Sequence, residues 1–431
     1  MNYKIENGRL LVRRGDSYEI SKEDLFIRDN IMSFVPFGPS EPFETVDASD
    51  RLVMPGLINM HTHVYMTLMR NYADDVPFHQ WLFDGVMPVE DALDPEAAYW
   101  TSLLGMTEMI RTGTTCFVDM HMYCRQSPKA AKEAGMRAFI GRGLVGEDLY
   151  KDGAKRFQEA LDEQKDYESD LIRFVLSPHA IYSCSDLLLS QVAEESRSRG
   201  MLKQIHLSES VKEVEDCLAA KGKTPVALLD DMGFLDEHTI LAHCVQMQGD
   251  DLDRIKISGA SIVTNPASNA KLGNGFAPTT QMLRKGINLC IGTDGAASNN
   301  TLNMFREMSL LSLLQKGLHR DPTAMGADAV IKAATENATA ALGMSGKLGV
   351  IREGALADLI FIDLDEPSLF PDNNIPASLC YSANGSEVSS VMINGRFVMR
   401  DRQMLTIDVK NVYEHVREAA QNHLKRDGRK R

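Results

Sequence analysis

His61 and His63 stand two apart in the stretch PGLINMHTHVYMTLMR (55–70), just after a short apolar run. Side chains of an extended chain alternate with period two, so both imidazoles point to one side and Thr62 to the other. Two imidazoles aimed at one point are part of a metal site if the rest of the chain supplies partners. It offers His179, His206, Glu209, His243 and Asp294, each at or just past the end of a strand-like run. Imidazoles with one carboxylate, and one position left to water, are the donor set that Zn2+ prefers, and Fe2+ or Mn2+ accepts the same ligands. His61, His63, His206 and Asp294 would supply that set. A bound divalent cation lowers the pKa of water to about 7, which yields a hydroxide nucleophile at neutral pH. His243 with Asp294 would take the proton of that water. Glu209, expected one helical turn past His206, would deliver a proton to the leaving group or to a ring nitrogen.

Each of these residues also has an ordinary reading. A histidine at a strand end can bond a nearby carbonyl, Glu209 can cap the next helix, and Asp294 can belong to an Asp-Gly turn. His243 can serve only to orient Asp294. Convergence points to a site, because five of the eleven histidines and the aspartate fall at predicted strand ends. The other histidines (79, 121, 238, 319, 415, 423) fall mostly in helices or loops and read as surface residues, although His121 follows the second strand.

Those strand ends belong to eight β-rich runs between residues 56 and 320: LINMHTH (57–63), TCFVDM (115–120), RAFIGRGL (137–144), IRFVLSPHA (172–180), LKQIHLSE (202–209), TILAHCVQM (239–247), SIVTNPASN (261–269) and NLCIGTDG (288–295). Helix-length segments separate them. In one, Asp94 reads as N-cap, Pro95 as the first helical residue and Gly113 as the stop; in another, Ser185 caps and Gly200 follows the last turn. Eight such units predict a parallel (β/α)8 TIM-like barrel, whose strands end at one shared mouth. The flanks 1–54 and 347–405 carry short strands broken by turns, neither with enough apolar strand for a core of its own. They are expected to pair into one small β-domain made from both chain ends, leaving the barrel at 55–346 and a C-terminal helix and tail at 406–431.

Composition removes several classes. The formal net charge of −14 argues against nucleic-acid and anionic-membrane binding, and the basic KRDGRKR (425–431) reads as a solvated terminus. Seven scattered cysteines without a C-x-x-C pair argue against disulfides and a cysteine zinc site. No leader-like N-terminus and no apolar stretch of about 20 residues is present, so a reducing cytoplasm is the expected address. G-x-S-x-G and phosphate-cradling glycine loops are missing, as is the H-x-E with a later P-C-x-x-C of the other zinc deaminase class. The fourth run ends in SPHA, with no lysine to bridge two metals, which favours a single ion.

On the motifs PGLINMHTH, IHLSE, LAHC, GTDGAASNN and GALADLIFID, the sequence resembles the amidohydrolase superfamily, in the branch of aminohydrolases and chlorohydrolases. VMPVEDAL, GRGLV, SPHAIYSCS, NPASNAKLGNGFAP and TLNMFREMSLLSLLQK narrow the likeness to the 5-methylthioadenosine/S-adenosylhomocysteine deaminases. The resemblance implies a barrel flanked by a small β-sandwich, one divalent metal, usually zinc, and hydrolytic deamination of an adenine nucleoside at C6. It implies His61, His63, His206 and Asp294 as ligands, Glu209 as proton donor to the purine and His243 as assistant at the water. It further implies Glu90 as acceptor for the ribose hydroxyls, which a carboxylate suits. Arg142 matches a substrate-contacting arginine able to pair with the homocysteine carboxylate, and His179 a further substrate contact. Read alone, Glu90 is a solvent-facing loop acid and Arg142 a barrel-rim ion pair. The family often carries a second arginine after RGLV, and neither Lys155 nor Arg156 falls cleanly on that position. 5′-Methylthioadenosine and 5′-deoxyadenosine therefore stay open beside S-adenosylhomocysteine. Barrels of this branch are often oligomeric, which leaves a homo-oligomer open. Guanine, cytosine or triazine hydrolysis is the competing enzymatic reading, and a catalytically dead scaffold the non-enzymatic one.

Overall fold

Four parallel strands, Leu57–Thr62, Thr114–His121, Arg137–Leu144 and Ile172–Phe174, pair in sequence order, the last resumed at Ser177–Pro178. Lys203–Leu207, Thr239–His243, Ser261–Thr264 and Leu289–Ile291 form a second parallel set. Parallel bridges Leu176–Lys203 and Ala180–His206 join the sets on one side. On the other, the Asp294 backbone N–H donates to the His61 carbonyl at 2.9 Å. The result is the (β/α)8 barrel, and both seams run through residues of the expected site. This is a computed structural model, and it describes residues 1–424; the basic run 425–431 lies outside the described residues.

Helix ends follow their caps. Asp94 accepts from Ala97 N at 2.8 Å and opens Pro95–Arg111, which closes at Thr112, just before Gly113 at φ 85°. Ser185 accepts from Leu188 N, and Gly200 ends Asp186–Arg199 in the left-handed region. Val409–His423, capped by Asp408, packs on Pro95–Arg111, with His415 stacked on Trp100 at 3.9 Å between centroids. Among the described residues no helix is long and apolar enough to cross a membrane.

Four strands are shorter at their carboxyl ends than their apolar runs. The seventh stops at Thr264 because Pro266 opens the helix Pro266–Lys271. The fifth and sixth stop where Ser208, His243 and Cys244 take φ of 49°, 73° and 49°. The eighth ends before Gly292, where a Cβ would meet the His61 backbone nitrogen at 2.8 Å, and Asp294 follows at φ 61°. Sparsely populated backbone conformations of this kind cluster at working sites.

The chain ends meet in a β-sandwich. Leu359–Asp363 runs antiparallel to Arg51–Pro55 inside a seven-stranded sheet that also holds Arg9–Arg14 and Val388–Ile393. A four-stranded sheet containing Tyr3–Glu6 and Leu25–Arg28 faces it across a core of Ile5, Leu10, Leu25, Ile27, Val53, Leu359 and Phe361. Sandwich and barrel are pinned by a buried bidentate pair. Arg137, at the start of the third barrel strand, donates to both Asp358 carboxylate oxygens at 2.8 and 3.0 Å, and Asn394 N donates to Asp358 as well. Removing one partner of such a pair strands a buried charge, at about 3–5 kcal/mol. Asp358→Ala is therefore expected to lower the unfolding free energy by about that amount, measured by urea denaturation.

Candidate active site

The barrel mouth gathers three histidines, His61, His63 and His206, whose protons are spoken for. His61 Nδ1 faces Gln204 Oε1 at 3.1 Å, and Gln204 is fixed in that sense because its Nε2 donates to Met60 O at 3.0 Å. His63 Nδ1 and His206 Nδ1 each lie 2.7 Å from a carbonyl oxygen, of Met120 and His179 respectively. An acceptor at Nδ1 requires the hydrogen there, so the lone pair of each ring sits on Nε2. Those lone pairs converge: His63 Nε2 and His206 Nε2 are 3.2 Å apart, and among the described residues the buried His61 Nε2 has no hydrogen-bond partner. Asp294 Oδ1 lies 3.5 Å from His61 Nε2 and 3.3 Å from His63 Nε2. Lone pairs so close together repel unless a cation stands between them. The donor set fits a divalent metal ion, and the chain's own hydrogen bonds prepare it for one.

Electrostatics point the same way. Burial alone would raise the Asp294 carboxyl, but the adjacent His61 and His63 imidazoles outweigh burial and hold it well below the usual carboxylate range. Its other oxygen, Oδ2, accepts from Ser268 Oγ and Ser298 Oγ, both at 2.7 Å. His206 is pushed down by burial and then by the surrounding imidazoles, which keeps it neutral.

The groups expected to move protons flank this cluster. His243 Nδ1 has its nearer partner in Asn269 Oδ1 at 2.8 Å, with Asn265 Nδ2 at 3.3 Å, so its proton sits on Nδ1 and Nε2 is the basic atom. Glu209 lies in the loop after the fifth strand, where the Ser208 turn replaces the helical turn expected past His206. Burial, and then the charge of Asp294, raises its carboxyl to about 8. The loop is shaped by Glu213, whose carboxylate accepts from Ser208 N at 2.9 Å and Glu209 N at 2.8 Å. Ser210 caps the helix Val211–Lys221 by accepting from Glu213 N.

A cavity of about 510 Å3 opens above the cluster, and His63, His179, His206, Glu209, His243 and Asp294 line its floor. One wall is apolar, from Phe78, Trp81, Leu82, Phe83 and Val86. Glu90 lines the cavity from the helix Met87–Ala92 and is not the solvent-facing loop acid that it suggests in isolation. Tyr65 donates its hydroxyl to the Glu90 carboxylate, and Tyr123 donates to the Glu90 carbonyl. His179 Nδ1 bonds Ser183 Oγ at 2.8 Å, and burial followed by the neighbouring His63 lowers its pKa to about 4.

Two arginines sit at the far end. Arg142 is buried, donates to Glu159 at 2.9 Å, and does not reach the cavity wall. Arg156 does line the cavity; its hydrogen bonds go to the Gly143 carbonyl and to Met122 sulfur, and burial, then Arg142, lowers its pKa. His121 is no surface residue: it is buried against Glu163 at 3.1 Å.

Sequence reasoning did not single out Gln204, Ser268, Ser298, Glu213 or the role of Arg156. Only Glu213 left a local trace, the S-x-x-E of a capping box at 210–213. Ser298 is four residues from its partner Asp294, and the others depend on contacts between residues farther apart in the chain.

A barrel with imidazoles and one carboxylate converging at the carboxyl ends of its strands is the architecture of a metal-dependent hydrolase. The amidohydrolase family profile matches residues 52–398. The 5-methylthioadenosine/S-adenosylhomocysteine deaminase of Pyrococcus furiosus is 42% identical over 417 residues, 95% of this chain and 98% of its own. The protein of the same name from Thermoanaerobacter pseudethanolicus is 38% identical over 431 residues, covering 99% and 100%. Among solved structures, an adenosine deaminase from Xanthomonas campestris with bound zinc superposes with a TM-score of 0.92 at 30% identity, covering 98% of each chain. The chain belongs to the amidohydrolase family.

The hydrogen bond that orients a metal-facing histidine typically governs affinity about 10–100-fold. Gln204→Leu, which frees His61 Nδ1, is expected to weaken metal retention to that extent. Metal content per chain under titration with a chelator measures it.

Proposed function

We propose that the chain deaminates adenine nucleosides at C6 by hydrolysis, releasing ammonia and the inosine derivative, with S-adenosylhomocysteine and 5′-methylthioadenosine as its substrates. The observation that carries this reading is the shared cavity: the metal-fitting cluster, the proton-carrying Glu209 and the half-buried acid Glu90 all open onto one space. Its volume suits a nucleoside. The names of the relatives from Pyrococcus furiosus and Thermoanaerobacter pseudethanolicus support the substrate class.

We assign the ion to His61, His63, His206 and Asp294, and zinc is supported by nitrogen-rich donors and by the zinc in the Xanthomonas campestris relative. The ion supplies Lewis acidity, which makes a water acidic enough to ionise near neutral pH. His243 Nε2 and the Asp294 carboxylate share the proton that the attacking water gives up. Glu209 hands its proton to the purine ring as C6 becomes tetrahedral; the amino group then takes the proton held by His243 and Asp294 and leaves as ammonia, while the C6 hydroxyl proton restores Glu209. Glu90, held by Tyr65, accepts from the ribose hydroxyls. His179, neutral and with its Nδ1 proton directed to Ser183, offers Nε2 as a further acceptor for the substrate. The apolar wall around Trp81 faces the purine and the thioether and keeps bulk water out.

At the tail end, Arg156 offers an unpaired guanidinium to a carboxylate, while Arg142 reaches one only by opening its pair with Glu159. Seven free cysteines, all but Cys124 buried, support a reducing cytoplasm as the address.

With zinc-loaded protein, S-adenosylhomocysteine, 5′-methylthioadenosine and 5′-deoxyadenosine are each expected to show the ultraviolet shift of adenine to hypoxanthine. Glu209→Gln should lower kcat by about 10²–10⁴-fold. No shift with any of the three at full metal occupancy would remove the nucleoside assignment. Arg156→Met is expected to raise KM for S-adenosylhomocysteine by about tenfold or more, as the loss of a charge-assisted contact implies, and to leave KM for 5′-methylthioadenosine within about twofold. Steady-state kinetics on the two substrates distinguish these.

A further inference from the structure

The stretch NPASNAKLGNGFAP contains one residue that touches the proton donor. Asn274, flanked by Gly273 at φ 70° and Gly275 at φ 103°, is buried in the loop beyond the seventh strand. Its side-chain Nδ2 donates to Glu209 Oε1 at 3.0 Å. The loop holds it firmly: Asn274 N donates to Asn269 O at 3.0 Å, and Asn274 O accepts from Gln246 Nε2. From the other side, Glu213 fixes the backbone of residues 208 and 209. Among the described residues no other hydrogen bond reaches the Glu209 carboxyl; His243 Nδ1 stands 3.9 Å from Oε1 and gives its proton to Asn269.

An amide nitrogen can donate and cannot accept. Oε1 therefore serves as an acceptor throughout, and the hydrogen that Glu209 delivers sits on Oε2. We propose that Asn274 is the positioning residue for proton delivery: it assigns the two oxygens of Glu209 to different tasks, Oε1 as anchor and Oε2 as donor. This deepens the deaminase reading above and rests on it. In the step itself the Oε2–H bond breaks as an N–H bond forms on the purine ring, and the electron pair stays on the carboxylate. Negative charge spreads onto Oε1 at that moment, so the Asn274 bond becomes charge-assisted and strengthens. An interaction stronger in the transition state than in the ground state raises kcat and leaves substrate affinity alone. The same Asn269 that orients His243 also anchors Asn274 through its carbonyl, so one loop aligns the base and the acid.

The test is a double-mutant cycle on zinc-loaded protein with S-adenosylhomocysteine. Asn274→Ala is expected to lower kcat by about 10- to 100-fold, the worth of a hydrogen bond to a charged group, with KM within about threefold. Asn274→Asp keeps the shape of the side chain and removes the donor, and it should lose at least as much. In the Glu209→Gln background, where there is no proton to deliver, Asn274→Ala should cost less than about threefold. An equal loss in both backgrounds, or a kcat for Asn274→Ala within about twofold of the parent, would overturn the proposal. A readout without turnover keeps the two readings apart. In protein labelled with carbon-13 at the glutamate side-chain carboxyl, the resonance lost in Glu209→Gln should move in Asn274→Ala. If the parent deaminates no adenine nucleoside, the functional reading falls. If that resonance stays put, the positioning role falls, whatever the substrate.

Discussion

Three imidazoles in this barrel each spend their one N–H on a fixed acceptor: Gln204 Oε1, the Met120 carbonyl and the His179 carbonyl. What remains is a group of lone pairs facing one another with the ionised Asp294 beside them. Such an arrangement is electrostatically incomplete until a cation enters. Much else at the barrel mouth serves to hold it, because free side chains would turn away from one another. The acceptors come from elements other than those bearing the imidazoles, so the site cannot form before the barrel closes.

Closure and site are one construction. The first and eighth strands meet where Asp294 N donates to His61 O, and the fourth and fifth meet at the bridge Ala180–His206, so residues of the donor cluster are also rungs of the barrel. Positive φ at Ser208, His243 and Asp294 turns the chain at the carboxyl ends of three strands. Backbone conformations of this kind cost free energy, and the surrounding hydrogen bonds offset it: two serine hydroxyls hold Asp294 Oδ2, and Glu213 holds the loop at Ser208. The β-sandwich contributes at the opposite end, where the buried Arg137–Asp358 pair ties it to the third strand.

The cavity adds selectivity of a different kind. Its floor is polar and fixed, its wall near Trp81 is apolar, and its far end carries Arg156, which has no carboxylate partner among the described residues because Glu159 pairs with Arg142. Glu90 is buried enough for its carboxyl to be raised by desolvation, which the Tyr65 bond only partly counters. A half-buried carboxylate of this sort favours a ligand that supplies hydroxyl donors, because an apolar ligand would leave its remaining lone pairs unmatched.

The barrel, the ends of its helices and the side chains that converge at its mouth were all legible along the chain. Those features are local or periodic: H-x-H on an extended run, Asp94 before Pro95, Ser185 and Gly200 around a helix, and histidines recurring at strand ends. Expected strands ran too long where apolar residues continue past the last ladder bond, as at 261–269, and Glu209 sits in a turned loop where a helical turn was expected. Tertiary structure alone decided which nitrogen each imidazole presents, since that depends on an acceptor up to 143 residues away, Gln204 for His61. It alone decided that Arg156 reaches the cavity while Arg142 pairs with Glu159, and that Asn274 touches Glu209. The physical reason is common to all of these. Helix caps and strand periodicity are set by neighbours along the chain, whereas proton positions and free charges are set by whichever groups closure brings within about 3 Å.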